Sequence, residues 1–371
     1  MRYTREDGCR AWLTYGGLAP KAIEALLREY GSCERIYTRF RRAGSAMLEG
    51  CANPVQLKQL ADRSEPETMH EMMLTMQKWE MGIVSYEDHG YPEALRTIDD
   101  APFLLFYRGD LACLAGRCVT VIGSRRASNR GMEASRAIAR RLSESGVRII
   151  SGLAMGIDTS AMLGGLEGGS PVVGVLGCGL DVDYPAANRL LKDKIIVGGG
   201  VLLSEYPPGI PALPHHFPVR NRIMSGLSSA VLMMEGKVRS GSMTTVQHAL
   251  DQGREVYAYP GQSGTAWAEG AHQLLREGAN YFASADDILE DLGWQRAGTV
   301  PAQPQQQELP ALPPAQQQIY SLLQQGEHSF DQLAAETGLD APTISGALTM
   351  LQIAGLIKAL PGKVYKTANA V

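Results

Sequence analysis

The chain has 371 residues, of which 44% are hydrophobic and 20% charged, and its formal net charge is −4. That length allows two or three domains and a sizeable core. The charge excludes a general basic field, so any anion site must come from local clusters of Lys or Arg. No apolar run approaches membrane-spanning length, and the opening MRYTREDGCR lacks the apolar stretch of a secretory signal. The expectation is a cytoplasmic protein with no membrane partner. The six cysteines (9, 33, 51, 113, 118 and 178) form no CxxC pair and read as reduced thiols.

Residues 1–81 carry helical patterns and little strand signal. Within them AWLTYGGLAPKAIEALLREY (11–30) places a Gly-Gly-Leu turn and Pro20 between two helices. A helical hairpin of this kind can present backbone N–H groups to a phosphate. Plain helix packing is the simpler reading, because the 12 Lys/Arg and 11 Asp/Glu of residues 1–80 nearly cancel. Short strands are expected over 82–86 and 103–107, with a turn or short helix at 91–95. From 118 to about 291 strands and helices alternate. Val119 to Ile122 is a buried strand ending at Gly123-Ser124-Arg125-Arg126. A helix follows, with Ala134, Ile138 and Leu142 on one face and Gly146 as its stop, and then a strand over 147–150. Asp158 reads as the N-cap of a helix over 159–167. Further strands are expected at 172–176, 201–203, 230–234 and 255–258, with helices at 186–196, 221–228 and 244–252. About six parallel strands with helical crossovers make an α/β, Rossmann-like, doubly wound parallel sheet over 82–295. Residues 296–314, RAGTVPAQPQQQELPALPP, form a Pro/Gln-rich linker. Residues 315–371 give three helices and a two-stranded wing around Pro361-Gly362, a winged-helix pattern.

Polar loops fall at the carboxyl edge of that sheet: VIGSRRAS (121–128), SGLAMGID (151–158), LGCGLDVDYPAAN (176–188), LLSEYPPG (202–209), FPVRNRIMSGLS (217–228) and RSGSMTT (239–245). Open α/β sheets bind ligands there. A rim of Gly, Ser and Arg suits phosphate oxygens, since hydroxyls and backbone N–H groups donate and guanidinium groups pair bidentately. Taken singly each loop is weak. Gly123-Ser124-Arg125 is an ordinary turn, Arg220-Asn221-Arg222 can be a structural ion-pair centre with Glu205, and Arg136, Arg140 and Arg141 read as a solvated helix face. Cys178, near Asp181 and Asp183, reads as an inert thiol of raised pKa.

In this order and at these spacings the loops resemble the DNA-processing protein A family (DprA, also called Smf). The resemblance is dense over 83–290 and looser over the flanking domains. It implies an N-terminal helical (helix-hairpin-helix or SAM-like) domain, an extended Rossmann-like domain and a C-terminal winged helix. It also implies a protein that binds single-stranded DNA without strong sequence preference, protects incoming strands during natural transformation and helps load the RecA recombinase. Carried over residue by residue, the DNA site comprises Gly123, Ser124 and Arg125, then Ser151, Gly152 and Gly156, then Arg220, Asn221 and Arg222. The implied homodimer patch is His272, Leu275 and Tyr281. The stretch TAWAEG (265–270) departs from the family's usual turn beside that patch.

Three function classes fit parts of this pattern. A non-catalytic binder needs a basic groove and stacking surfaces; the Arg clusters supply the first, and Tyr184, Tyr206 and Phe217 lie in suitable loops. The fold also resembles nucleotide phosphoribohydrolases of the lysine-decarboxylase-like type. The comparable stretch here, 240–248, carries no carboxylate where glycosidic hydrolysis needs an acid or base. No phosphate-binding G-x-x-x-x-G-K-[ST], metal cluster or nucleophile elbow is present, so neither a catalytic residue nor a metal or cofactor is expected. A regulator built on the winged helix would want a basic recognition helix. Residues 315–371 hold three Lys, no Arg and four Asp/Glu, which favours an accessory role for that module.

Overall fold

The structure is a computed structural model of the chain. It describes residues 3–48, 50–262, 264–294, 313–324, 326, 328–353, 356–360 and 364–367. Contacts divide the chain into two units, 1–295 and 296–371.

The first unit opens with five helices: α1 (Arg5–Thr14), α2 (Pro20–Tyr30), α3 (Cys33–Ala43), α4 (Pro54–Asp62) and α5 (Pro66–Lys78). Local chemistry sets their ends. Thr4 and Asp7 form a capping box for α1, Asn53 and Gln56 one for α4, and Pro20 stands at the first position of α2. Trp12 is buried among Tyr37 and Phe40, with ring centroids 5.1 and 5.2 Å away, and its indole N–H donates to the Leu60 carbonyl at 3.1 Å.

The alternating part follows as β1 (Gly82–Ser85), α6 (Glu93–Arg96), β2 (Leu104–Gly109), β3 (Cys118–Ile122), α7 (Asn129–Glu144), β4 (Arg148–Ser151), α8 (Ile157–Glu167), β5 (Val172–Leu176), α9 (Arg189–Val197), β6 (Val201–Ser204), α10 (His216–Gly226), β7 (Ala230–Met233), α11 (Gly241–Asp251), β8 (Glu255–Ala258), α12 (Glu269–Arg276), β9 (Asn280–Tyr281) and α13 (Ala285–Asp291). The strands form one nine-stranded sheet in the order β1-β2-β6-β5-β4-β3-β7-β8-β9. From β6 through β9 every neighbouring pair is parallel. The expected strands at 82–86 and 103–107 extend this sheet as an antiparallel edge, β1 on β2 and β2 on β6.

Alternation along each strand divides the core. Val119, Val121, Ile149 and Leu232 pack on one face with Ile138 and Leu142 of α7, Ala161 and Met162 of α8, and the N-terminal helices. Ile122, Ile150, Val173 and Met233 pack on the other with Ile223 and Met224 of α10 and Val246 and Ala249 of α11. A helix on each face of a parallel sheet is the doubly wound solution. The chain runs outward one way from β3 to β6 and then crosses to β7 on the opposite side of β3. That reversal is the topological switch point, and a crevice opens there beyond the strand ends.

Two expected helix bounds are corrected. The helix expected at 221–228 is α10 and begins at His216, so Arg220, Asn221 and Arg222 lie mid-helix rather than in a loop. Residues Ala186–Asn188 form a separate 3-10 turn before α9.

The second unit holds α14 (Pro314–Leu323), β10 (His328–Ser329), α15 (Phe330–Thr337), α16 (Ala341–Ile353), β11 (Ile357–Leu360) and β12 (Val364–Thr367), with a three-stranded sheet in the order β10-β12-β11. Ser329 and Gln332 make a capping box for α15. Ile319, Leu323, Leu333, Ile344 and Leu348 form its core. This is the winged-helix arrangement that the pattern predicts. The wing turn at Pro361-Gly362 lies outside the described residues, as does the linker 296–314 apart from 313 and 314.

Candidate nucleic-acid interface at the sheet switch point

A cavity of about 340 Å³ occupies the crevice between the loop after β3 and the loop after β7. Its walls include Gly123, Ser124 and Arg125 from the first loop, Asp158 at the start of α8, Arg220 and Asn221 of α10, and Ser240, Gly241 and Ser242 at the start of α11. Four of the loops picked out by sequence therefore converge, with Arg125 exposed and Arg220 buried on the walls of one cavity.

The first loop is held by a residue that sequence reasoning missed. Glu235, two residues past the end of β7, is 5% exposed. Its carboxylate accepts from the Ser128 N–H at 2.8 Å and the Ser128 hydroxyl at 2.6 Å. Its backbone carbonyl accepts from the Ser124 N–H at 2.6 Å. The Ser124 hydroxyl accepts from the Arg126 N–H at 3.1 Å, which closes a tight turn. Arg125 is left exposed, its guanidinium 5.1 Å from the centre of the Phe217 ring, and Phe217 lies 5.4 Å from Tyr184. The only sequence signal for Glu235 was an acidic residue closing an apolar strand.

The glycines of the second loop answer to protein atoms. A Cβ on Gly152 would lie 2.4 Å from Nη2 of Arg220. Gly156 has a φ of +81°, and a Cβ there would lie 2.3 Å from the Ser124 carbonyl oxygen. Both positions therefore demand glycine to let the first loop and α10 approach the sheet. Ser151 is fully buried and donates to the Val121 carbonyl at 2.7 Å. None of these three lines the cavity; they let the elements that line it pack closely.

Asp158 is not an N-cap, which corrects the sequence reading. The cap position of α8 is Gly156, and no side chain caps that end. The Asp158 carboxylate instead turns back to accept from the N–H groups of Gly152 and Ala154 at 3.2 and 3.3 Å. Burial pushes its pKa up to about 6, against the pull of Arg220 and of those donors. Arg220 is 4% exposed and donates to the carbonyls of Gly152, at 3.0 Å, and Val175. Burial pushes its pKa down to about 10, with Asp158 opposing that shift. A buried cation and a buried acid thus balance each other at the base of the cavity.

Across from them, α11 begins at Gly241 with Ser240 at its cap position but no side-chain cap bond, and the buried Ser240 hydroxyl oxygen has no partner. An uncapped helix start offers N–H donors and the positive end of the helix dipole. Asn221 is occupied structurally: its amide donates to the Gly241 carbonyl at 3.2 Å and the Thr244 hydroxyl at 2.7 Å, clamping α10 to α11.

Arg222 does not line this cavity. It donates to the Glu205 carboxylate at 2.6 Å and lies 3.3 Å from Asp100, the ion-pair centre anticipated as the plain reading of this triplet. His272 and Leu275 sit half-buried on α12, and Tyr281 stands 58% exposed on the edge strand β9. The Cys178 thiol is pushed up by burial first, with Asp181 adding and Lys192 and Arg220 opposing; Asp183 is not among the causes. The helix-face arginines pair on the surface as expected, Arg136 with Glu167, Arg140 with Glu144 and Arg141 with Asp286. Among the described residues no cluster of His, Cys, Asp and Glu could hold a metal, and no helix is long and apolar enough to cross a membrane.

Residues 82–293, the sheet unit that carries this cavity, match the family model for DNA recombination-mediator protein A, and residues 303–363 match the DprA winged helix domain. The chain belongs to the DNA recombination-mediator protein A family. It is 38% identical over 279 residues to DNA processing protein DprA of Streptococcus pneumoniae, covering 75% of this chain and 95% of that one. It is 36% identical over 294 residues to Protein Smf of Escherichia coli, covering 78% of each. The X-ray structure of the Streptococcus pneumoniae protein superposes with a TM-score of 0.65 at 36% identity, over 78% of this chain and 99% of that one. A Helicobacter pylori DNA processing protein A, whose structure concerns its single-stranded DNA binding mode, superposes with a TM-score of 0.52 at 26% identity, over 58% of this chain and 96% of that one.

Proposed function

We propose that this member of the family binds single-stranded DNA through its phosphates at the switch-point crevice. The observation that carries the reading is the set of unfilled donors facing one cavity: Arg125, the uncapped start of α11 and the unpartnered Ser240 hydroxyl. The Helicobacter pylori relative's single-strand binding supports it. Phe217 and Tyr184 beside Arg125 give bases a stacking surface next to the phosphates. Non-catalytic binding is favoured over phosphoribohydrolase chemistry, because the one carboxylate in the lining, Asp158, is buried against Arg220 and committed to two backbone N–H groups. Family membership extends the proposal to a cytoplasmic homodimer, joined near His272, Leu275 and Tyr281, that protects incoming strands in natural transformation and helps load RecA recombinase. The test is a mobility-shift assay with single- and double-stranded competitors across a salt series. Affinity for single strands should fall steeply with salt and vary little with sequence at the level of the phosphate contacts. A flat salt response, or tight preference for one duplex, would refute the proposal.

A further inference from the structure

The N-terminal helices carry a charged face that the switch-point crevice does not use. On α3, Cys33, Ile36, Tyr37 and Phe40 are buried in the core. Arg35, Arg39 and Arg42 of the same helix are exposed. At roughly 100° of rotation per residue these three lie within an arc of about 60°, opposite Tyr37 and Phe40, in a row about 10 Å long. The row lines a groove of about 570 Å³, none of whose residues lines the crevice.

Other exposed arginines of this unit are explained by acid partners. Arg5 pairs with Glu34, Arg41 with Glu65, and the α7 arginines with Glu167, Glu144 and Asp286. Arg35, Arg39 and Arg42 make no ion pair among the described residues. The helix dipole gives Arg42 a local reason, since it stands in the last turn, but it disfavours Arg35 in the first. Like charges four residues apart on a helix also repel. The groove has Glu29 and Glu34 on its lining, and Arg5 offsets Glu34 at 3.2 Å, so guanidinium groups remain in excess.

Such a row complements a polyanion of regular charge spacing. A nucleic-acid strand presents one phosphate per about 3.4 Å of axis, hence about three over the length of the row. Guanidinium forks pair bidentately with phosphate oxygens, and Ser32 and Thr38 on the same lining add hydroxyl donors. We infer that α3 is a second phosphate-binding surface, on which the N-terminal helices hold the backbone of a nucleic-acid strand. The inference rests on nucleic acid being the ligand, as read above, but not on how the crevice holds it.

The test uses the full chain in anisotropy titrations of labelled dT30 and of a 30-base-pair duplex, each across a salt series. The triple variant Arg35→Gln/Arg39→Gln/Arg42→Gln keeps good helix formers at exposed positions, so its circular dichroism should match the parent's. It should bind about five- to fiftyfold more weakly, the sum of three exposed charge contacts. Its slope of log affinity against log salt should flatten by about 2, and that of Arg39→Gln alone by about 0.7. Arg136→Gln/Arg140→Gln/Arg141→Gln removes the same charge from α7 and should bind like the parent. Adding Arg125→Ala to the α3 variant should weaken it further, because the two surfaces are separate. A loss in either arm supports the surface, and the arm that loses more identifies the form of strand it holds. Parent-like affinity and slope in both arms, or an equal loss in the α7 variant, overturns the α3 surface and leaves the crevice standing. Binding of poly-glutamate that the α3 substitutions abolish, with dT30 and duplex binding untouched, assigns the face to an acidic protein and also overturns it. Failure of the parent to bind either nucleic acid overturns both readings.

Discussion

Arg125→Ala is the sharpest test of the switch-point crevice. Arg125 is exposed, its turn is held by Glu235 and Ser128 rather than by its own side chain, and its guanidinium lies over Phe217 at the mouth of the cavity. Removing the side chain therefore leaves the backbone and the core untouched. The cation–π contact is worth about 0.5–1 kcal/mol at an exposed site, so the midpoint of thermal unfolding should shift by little. A hydrogen bond to a charged group contributes about 1.5–3 kcal/mol. One lost phosphate contact should then weaken single-strand binding roughly ten- to a hundredfold, and flatten the slope of log affinity against log salt by about 0.7. Arg125→Lys should recover part of the loss, since an ammonium keeps the charge without the planar fork. Arg140→Ala is the control, because Arg140 is paired with Glu144 at 2.9 Å on the outer face of α7. The assay is anisotropy titration of a labelled strand at several salt concentrations. Parent-like affinity in Arg125→Ala, alongside a loss in Arg140→Ala, would refute the placement of the phosphate rim at 123–126.

Two further outcomes follow from the same geometry. Asp158, with its pKa raised to about 6, binds its proton more tightly folded than unfolded. Its contribution therefore favours the fold at acid pH and is lost as pH rises through about 6. Protonation also removes a negative charge beside the crevice, so single-strand affinity should rise about three- to tenfold as pH falls from 7.5 to 5.5. Asp158→Asn should abolish that pH dependence, and an unchanged profile in the variant would show that another group is responsible. For the dimer, Tyr281→Glu is a cleaner probe than Leu275→Glu. Tyr281 is 58% exposed on β9, whereas Leu275 packs in part against the core. Light scattering should show the mass fall from two chains to one, and an unchanged mass would place the interface elsewhere.

The sequence by itself determined the central strands and the loops that follow them, though not the start of α10. Val119–Ile122 with its abrupt Gly-Ser end, the four-residue spacing of Ile138 and Leu142, and the cap at Ser329 are local signals. Their physics acts within a few residues, so they needed no tertiary information. Helical crossovers make successive strands parallel, which is why the loops could be expected at one edge of the sheet, whereas the strand order came only with the structure. Only the tertiary structure decided what each polar group faces. Arg220 and Arg222 are two residues apart, but 200° of helix rotation sends one to the crevice and the other to Glu205. Asp158 stands in the first turn of α8, past the cap position at Gly156, and turns back to the preceding loop, because the N–H groups of Gly152 and Ala154 and the charge of Arg220 lie there. Glu235 governs a loop 107 residues earlier in the chain through Ser128. Such partnerships join positions distant in sequence, and no periodicity or local propensity encodes them; they exist only once β3 and β7 lie side by side.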